Sequence, residues 1–314
     1  MYIFLDIVED FQCEMCGRCC RNDWLVTVNE ASYLRNERLF AERDAQNEFS
    51  AAFQKISGER CPGEYAYIAK KKTGGCWFLE ADNRCSLHRQ IGHQHLDSVC
   101  QTFPRYPISS TRGMEFTLTF NCPAVQKRLN RAKPLLVLRS EHAPLQIAED
   151  SIVAYVYPEQ KGKNDPLHYY FELEQHFIDL LQVRGVDLDC RLLRIKESIA
   201  RLRKNGTNKA MGEMIRETIY GNYEWLDENE TMMPGEILTA DILQEHFLVN
   251  LVFQKVFYLY GLEEGLKLLL HFRQVMQRSE EAVHQAEAKL EAVRAAVMEL
   301  SFQHSHNRQL LRQE

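Results

Sequence analysis

The sequence predicts an α+β protein, mostly helical, in which an irregular cysteine-rich metal-binding N-terminal region with short strands is followed by a helical bundle. Three observations carry this reading. Nine of the ten cysteines fall in the first 122 of 314 residues, and four stand together as Cys13-Glu-Met-Cys16-Gly-Arg-Cys19-Cys20. Residues 134–157 contain short β-branched and apolar stretches, Leu135-Leu-Val-Leu and Ile152-Val-Ala-Tyr-Val-Tyr, separated by polar turn-like sequence. After Pro158 the apolar residues recur at helical spacing. The chain therefore divides into a cysteine-cluster region at 1–130, short strands and a connection at 131–160, and a helical domain at 161–314 packed on it.

Composition limits what the thiols are for. The formal charge of -6 arises from 44 acidic and 38 basic residues without a basic stripe, so neither nucleic acid nor an anionic membrane is an expected partner. The stretch Met-Tyr-Ile-Phe-Leu-Asp at the N-terminus has no basic n-region, and no later apolar run is long enough to span a bilayer. A cytoplasmic protein is the expectation. Clustered thiols in a reducing compartment bind metal or do chemistry rather than persist as disulfides.

The spacing agrees with metal binding. A CxxC pair lets two thiolates reach one ion while the backbone turns, and Gly17 relaxes that turn. Cys19 and Cys20 are neighbours whose side chains are expected to diverge, so only one should join Cys13 and Cys16, the other serving a second site, a bridge or the core. Zinc would take four thiolates, or three and a histidine. Iron and sulfide fit the CxxCxxC of Cys13, Cys16 and Cys19, which matches the start of the bacterial ferredoxin run, although Asp23 stands where its fourth cysteine would be. Iron is favoured, with a 4Fe-4S cluster as the expected form, and zinc remains the alternative.

A second group completes the candidate ligand set. Cys76 and Cys85 flank Ala-Asp-Asn, which reads as a turn with a thiol at each side. Cys100 precedes Phe-Pro104-Arg105-Tyr-Pro107, where two prolines impose an extended path, and Cys122 is followed by Pro123. The candidate metal ligands are thus Cys13, Cys16, Cys19, Cys20, Cys76, Cys85, Cys100 and Cys122. His88 is a ligand or a helix-start histidine. Arg105 can recognise a carboxylate or phosphate, or form a surface salt bridge. Cys61 reads as part of a turn, and Cys190, among leucines, as core.

Helices are expected from Asp165-Pro166 to about Val183, with Phe171, Phe177 and Leu181 inward, then near 189–204, 208–226, 239–260, 262–278 and 280–303. In the last, Val283, Leu290, Val293, Val297 and Leu300 form a stripe that seals the bundle. The pairs His93/His95 and His304/His306 read as solvated, the second in a frayed end.

The order Phe11-Gln-Cys-Glu-Met-Cys-Gly-Arg-Cys-Cys-Arg, Cys76-Trp-Phe-Leu, Cys85, then Cys100 before Phe-Pro-Arg, resembles the CxxCxxCC cysteine-cluster family of zinc- or iron-chelating proteins. Trp24, the segment Gln90-Ile-Gly-His-Gln-His-Leu-Asp-Ser-Val-Cys100, and Thr117-Leu-Thr-Phe-Asn-Cys122-Pro-Ala are similar to its flagellin lysine-N-methylase branch. The likeness covers about residues 11–130. It implies methyl transfer from S-adenosylmethionine to lysines of flagellin or another protein, associated with an iron-sulfur cluster. The chain has no GxGxxG after a strand and no CxxxCxxC of the radical enzymes that use this cofactor. Under the resemblance, Arg105 would bind the cofactor, a cluster iron would anchor its methionine end, and Glu115 or Asp97 would take the amine proton. The alternative is a non-catalytic cysteine-cluster protein that stores, delivers or senses iron or zinc, or uses it structurally.

Overall fold

The computed structural model describes residues 1–58, 64–144, 151–203, 210–229 and 238–306. The chain opens with strand β1 (Tyr2–Leu5), passes through an irregular loop to the short helix α1 (Arg18–Arg21), and continues with β2 (Thr27–Val28), α2 (Glu30–Ala41), α3 (Gln46–Ala52), β3 (Phe53–Lys55) and β4 (Ala66–Ile68). Helix α2 starts where Asn29 accepts the Ser32 N–H at 2.7 Å, an ordinary N-cap. Two short helices, α4 (Ser86–Ile91) and α5 (Ser98–Thr102), lead into the hairpin β5 (Arg105–Ser110) and β6 (Gly113–Leu118). Then come α6 (Pro123–Arg128), β7 (Val137–Ser140) and β8 (Ala154–Val156). The helical part comprises α7 (Tyr170–Gln182), α8 (Leu188–Arg203), α9 (Met211–Asn229), α10 (Ala240–Phe253), α11 (Val256–Leu259), α12 (Leu262–Glu281) and α13 (Ala286–His306).

Five strands form one mixed sheet in the order β7-β1-β6-β5-β8, and three form a small antiparallel sheet in the order β2-β4-β3. The first strand thus lies between β6, to which it is parallel, and β7, to which it is antiparallel. The β5–β6 turn requires glycine at Gly113, because φ is +126° and a Cβ there would fall 2.1 Å from the Met1 carbonyl oxygen.

Two cores follow from these layers. The larger joins Ile3, Leu5, Ile108, Phe116 and Leu118 of the sheet to Phe177, Leu181, Phe247, Val252 and Val297 of the bundle. The smaller is aromatic and lies among β2, β3, β4, α2 and α3. In it Tyr33–Phe49 and Phe49–Phe53 ring centroids are both 5.0 Å apart, and Phe53–Phe78 are 5.5 Å apart.

Charge is buried where bundle meets sheet. Lys255, fully buried, donates to Glu115 at 2.6 Å and to Glu174 at 2.5 Å, and Arg112 donates to the same carboxylates at 2.6 and 2.7 Å. Each ion therefore has two partners of opposite sign, as burial demands. Arg184 and Arg191 close on Glu245 in the same way, at 2.7 and 2.9 Å.

Several expectations are corrected. The helix expected over 239–260 breaks at Lys255, whose φ of +71° reverses the backbone before α11. Val283 lies in the connection between α12 and α13, while Val293, Val297 and Leu300 are buried and Leu290 is half-buried. Phe171 is only half-buried, with the Arg112 guanidinium 3.8 Å from its ring centre. Cys190 is exposed, because two residues beyond buried Leu188 the helix has turned to its outer face. His304 is buried, one turn on from Leu300, with Tyr260 and Phe272 rings 6.0 Å away. Cys61 lies outside the described residues.

Candidate metal centre

The first four cysteines sit on a loop and the helical turn that ends it. Met15 and Gly17 are both left-handed, with φ of +48° and +68°, so the backbone coils between Cys13 and α1. At Gly17 a Cβ would meet Arg21 Nη1 at 3.0 Å and Asn83 Cβ at 3.1 Å, so glycine is required for space as well as for φ. The Met15 N–H donates to Cys13 Sγ at 3.4 Å. Cys19 and Cys20 share α1, and their sulfurs approach to 3.9 Å rather than diverging.

The second group is brought up by hydrogen-bonded turns. Gly74 and Gly75, with φ of +87° and +81°, let the chain pass close over α1, where the Cys76 N–H donates to the Cys20 carbonyl at 2.7 Å. Leu79 pairs with Cys85 across the turn, which places Cys76 and Cys85 on its two sides as the sequence suggested. Cys85 caps α4 and its sulfur accepts the His88 N–H at 3.5 Å. Cys100 lies on α5, immediately before the extended Arg105–Ser110 strand, and Cys122 immediately precedes α6 with Pro123 in its first turn.

All eight of these cysteines line one cavity of about 240 Å³, together with Arg105, Asp97, His88, His93, Asn121, Trp24 and Phe103. Their sulfurs surround the space without converging: among the described residues no three His, Cys, Asp or Glu side chains form a group that could hold a metal ion. Electrostatically the thiols fall into two neighbourhoods. Cys13 and Cys16 both act on Cys122, whereas Cys76 and Cys100 act on Cys20, and Cys76 and Cys85 act on Cys100. Cys19 acts on Cys13, Cys76, Cys85 and Cys100, and so stands between the two.

Burial is the main force on most of these groups. It pushes the Cys76 and Cys122 thiols up to about 11, against backbone N–H groups that favour the thiolate. Cys13 and Cys85 are also raised by burial. Cys100 is exposed along the cavity, and the crowding of protein around it, with Asp97 and neighbouring thiols adding to the effect, holds its thiol well above the ordinary range. Cys19 is the exception. A hydrogen bond from Cys20 brings it down to about 7, and the same bond drives Cys20 upward. The donor chemistry fits zinc or iron: soft sulfur ligands, backbone N–H groups turned toward several of them, and one thiol poised to ionise near neutral pH.

The other candidates separate. Arg105 is in the cavity wall with its guanidinium 5.5 Å from the Phe11 ring centre, and its Nη1 donates to the Gln101 carbonyl at 3.4 Å. Asp97 lines the cavity, but Glu115 is held in the buried ion pairs with Arg112 and Lys255 and does not. His88 reaches the cavity beside His93, ring centres 5.5 Å apart, and burial lowers the pKa of His93. Asn121 was not singled out from the sequence, and its only signal there is its place directly before Cys122-Pro123.

Comparison with known proteins agrees with the cysteine pattern. Residues 12–126 match the model of the CxxCxxCC family described as "Putative zinc- or iron-chelating domain". A curated relative, "Flagellar biosynthetic protein FliU" of Salmonella muenchen, is 23% identical over 125 residues, which is 39% of this chain and 72% of that protein. No solved structure matches the chain significantly. Among the described residues no helix is long and apolar enough to cross a membrane.

Proposed function

We propose that this chain is a metal-dependent protein-lysine N-methyltransferase that takes its methyl group from S-adenosylmethionine and acts on flagellin or another protein. The observation that supports the reading is one cavity that brings eight thiols together with Asp97 and Arg105, a carboxylate to take a proton and a guanidinium to receive a carboxylate. The likeness to a flagellar biosynthetic protein adds to it.

The ligands of one 4Fe-4S cluster or one zinc ion would be drawn four at a time from Cys13, Cys16, Cys19, Cys20, Cys76, Cys85, Cys100 and Cys122. A metal bound there would offset the charge of its thiolate ligands and supply a Lewis acid toward the cofactor. Arg105 holds the cofactor carboxylate, and the partly enclosed cavity limits water around the reacting atoms. The neutral lysine amine then forms the N–C bond as the C–S bond breaks, and the electron pair of that bond returns to sulfur as a thioether. The proton leaving nitrogen goes to Asp97. Holding the amine and the methyl carbon in line accounts for most of the acceleration.

A thiol-lined cavity would also serve a protein that stores, delivers or senses iron or zinc. Incubating anaerobically purified, metal-loaded protein with methyl-labelled S-adenosylmethionine and flagellin separates the two. Label on flagellin lysines and a cofactor-dependent change in the metal spectrum are expected. No transfer and an unchanged spectrum from loaded protein would overturn the enzyme reading in favour of a metal holder.

A further inference from the structure

Asn121 has a buried amide with no use in the chemistry above. The residue is 4% exposed, and neither its Nδ2 nor its Oδ1 has a hydrogen-bond partner. Leaving such a group unpaired forfeits its hydration without a replacement bond, and folded proteins tolerate few. Asn121 is in the cavity wall directly before Cys122. Arg105 lines the same cavity, and its buried Nε also lacks a partner. The backbone keeps the two together, since Arg105 pairs with Leu118 and the Thr119 N–H donates to the Pro104 carbonyl at 2.8 Å, so the chain leading to Asn121 runs beside the start of β5.

These unsatisfied groups are complementary to one kind of ligand. A guanidinium fork calls for a planar anion, and an amide offers both a donor and an acceptor. Phosphate would accept from Arg105 and from Asn121 Nδ2–H but would bring no donor to Asn121 Oδ1. An apolar ligand would satisfy neither residue. We infer that Arg105 and Asn121 form a subsite for an α-amino-carboxylate, with the carboxylate received by Arg105 and Asn121 Nδ2–H and the ammonium donating to Asn121 Oδ1. The inference rests on the methyltransferase reading in one respect only: it takes the methionine end of S-adenosylmethionine as the source of that group, the other source being a free amino acid.

The test measures binding of S-adenosylmethionine, its decarboxylated analogue and free L-methionine to the full metal-loaded chain by anaerobic calorimetry. The decarboxylated compound should bind at least about tenfold more weakly, as expected for a lost hydrogen bond between charged groups. Asn121→Ala and Arg105→Gln should each weaken S-adenosylmethionine about tenfold and keep the metal content, and Arg105→Gln should leave the analogue unchanged while Asn121→Ala, which also removes the acceptor for the ammonium, should weaken it too. If S-adenosylmethionine and its analogue bind equally to the unmodified chain, the subsite is wrong while the methyl-donor reading stands, and this comparison needs no variant to fold. If S-adenosylmethionine does not bind but methionine does, in an Asn121-dependent way, the subsite stands and the donor reading falls. If none binds, both fall.

Discussion

The helical bundle buries Phe177, Leu181, Phe247, Leu269 and Val297 in one core continuous with the five-stranded sheet, whereas the cysteine-bearing lobe has a small aromatic core and strands of two or three residues. Where the bundle meets that sheet the buried charges also close on one another, Lys255 and Arg112 balancing Glu115 and Glu174. The lobe instead leaves its functional groups turned toward a cavity, with burial raising Cys76, Cys100 and Cys122 and only Cys19 lowered. One region is complete as an apolar and ionic solid. The other has a gap at its centre that a ligand would fill, and metal binding would contribute folding free energy there directly.

That contrast is broken most severely by removing a ligand. Cys16→Ser or Cys100→Ser should lose metal and cost the lobe several kcal/mol, in line with the roughly 10 kcal/mol scale of structural metal sites. Metal analysis and hydrogen exchange check this, with protection lost between residues 13 and 103 and retained in α7, α10 and α12. Uniform loss across the whole chain would mean that the two regions are not held by different means. In the bundle, Lys255→Met should destabilise by about 3–5 kcal/mol by urea melting, because Glu115 and Glu174 would each lose a buried cation, without changing metal content.

Acid should act on the bundle through its histidines. Burial lowers His246 and His304 from the ordinary 6.5 to about 4. In the unfolded chain they protonate at about 6.5, so between these values the unfolded state binds more protons. The contribution is complete above about pH 6.5 and is lost as pH falls toward 4, by up to about 3 kcal/mol per group. Replacing either histidine with an apolar residue of similar size should flatten the fall in melting temperature over that range. The smallest effect belongs to Cys190→Ser, at an exposed position with no part in the cavity: stability should change by less than about 0.5 kcal/mol, and metal content not at all.

How much of this was legible depended on whether a signal was local. The helices from α7 to α13 were readable to within a few residues from 3.6-residue periodicity, except where Lys255 turns toward carboxylates far away in sequence. The eight cysteines were readable from spacing, and they do surround one cavity. The five-stranded sheet was largely hidden. β1 has four residues and finds its partners more than a hundred residues away, and β5 contains Pro107, which reads as extended but against a paired strand. Pro107 is tolerated because the pairing with β8 begins only at Ile108, so no N–H is needed at that point. Asn121 was illegible for a different reason: sequence shows an amide but not whether its hydrogen bonds are met.

The claim that the cysteine lobe is organised around metal is tested most directly by anaerobic purification of the full chain with metal, sulfide and accessible-thiol analysis. Stoichiometric metal is expected, iron with labile sulfide if the centre is a cluster, with the cavity thiols masked until chelator is added and exposed Cys190 reacting at once as an internal control. A folded, metal-free protein that neither takes up zinc or iron nor protects those thiols would contradict it.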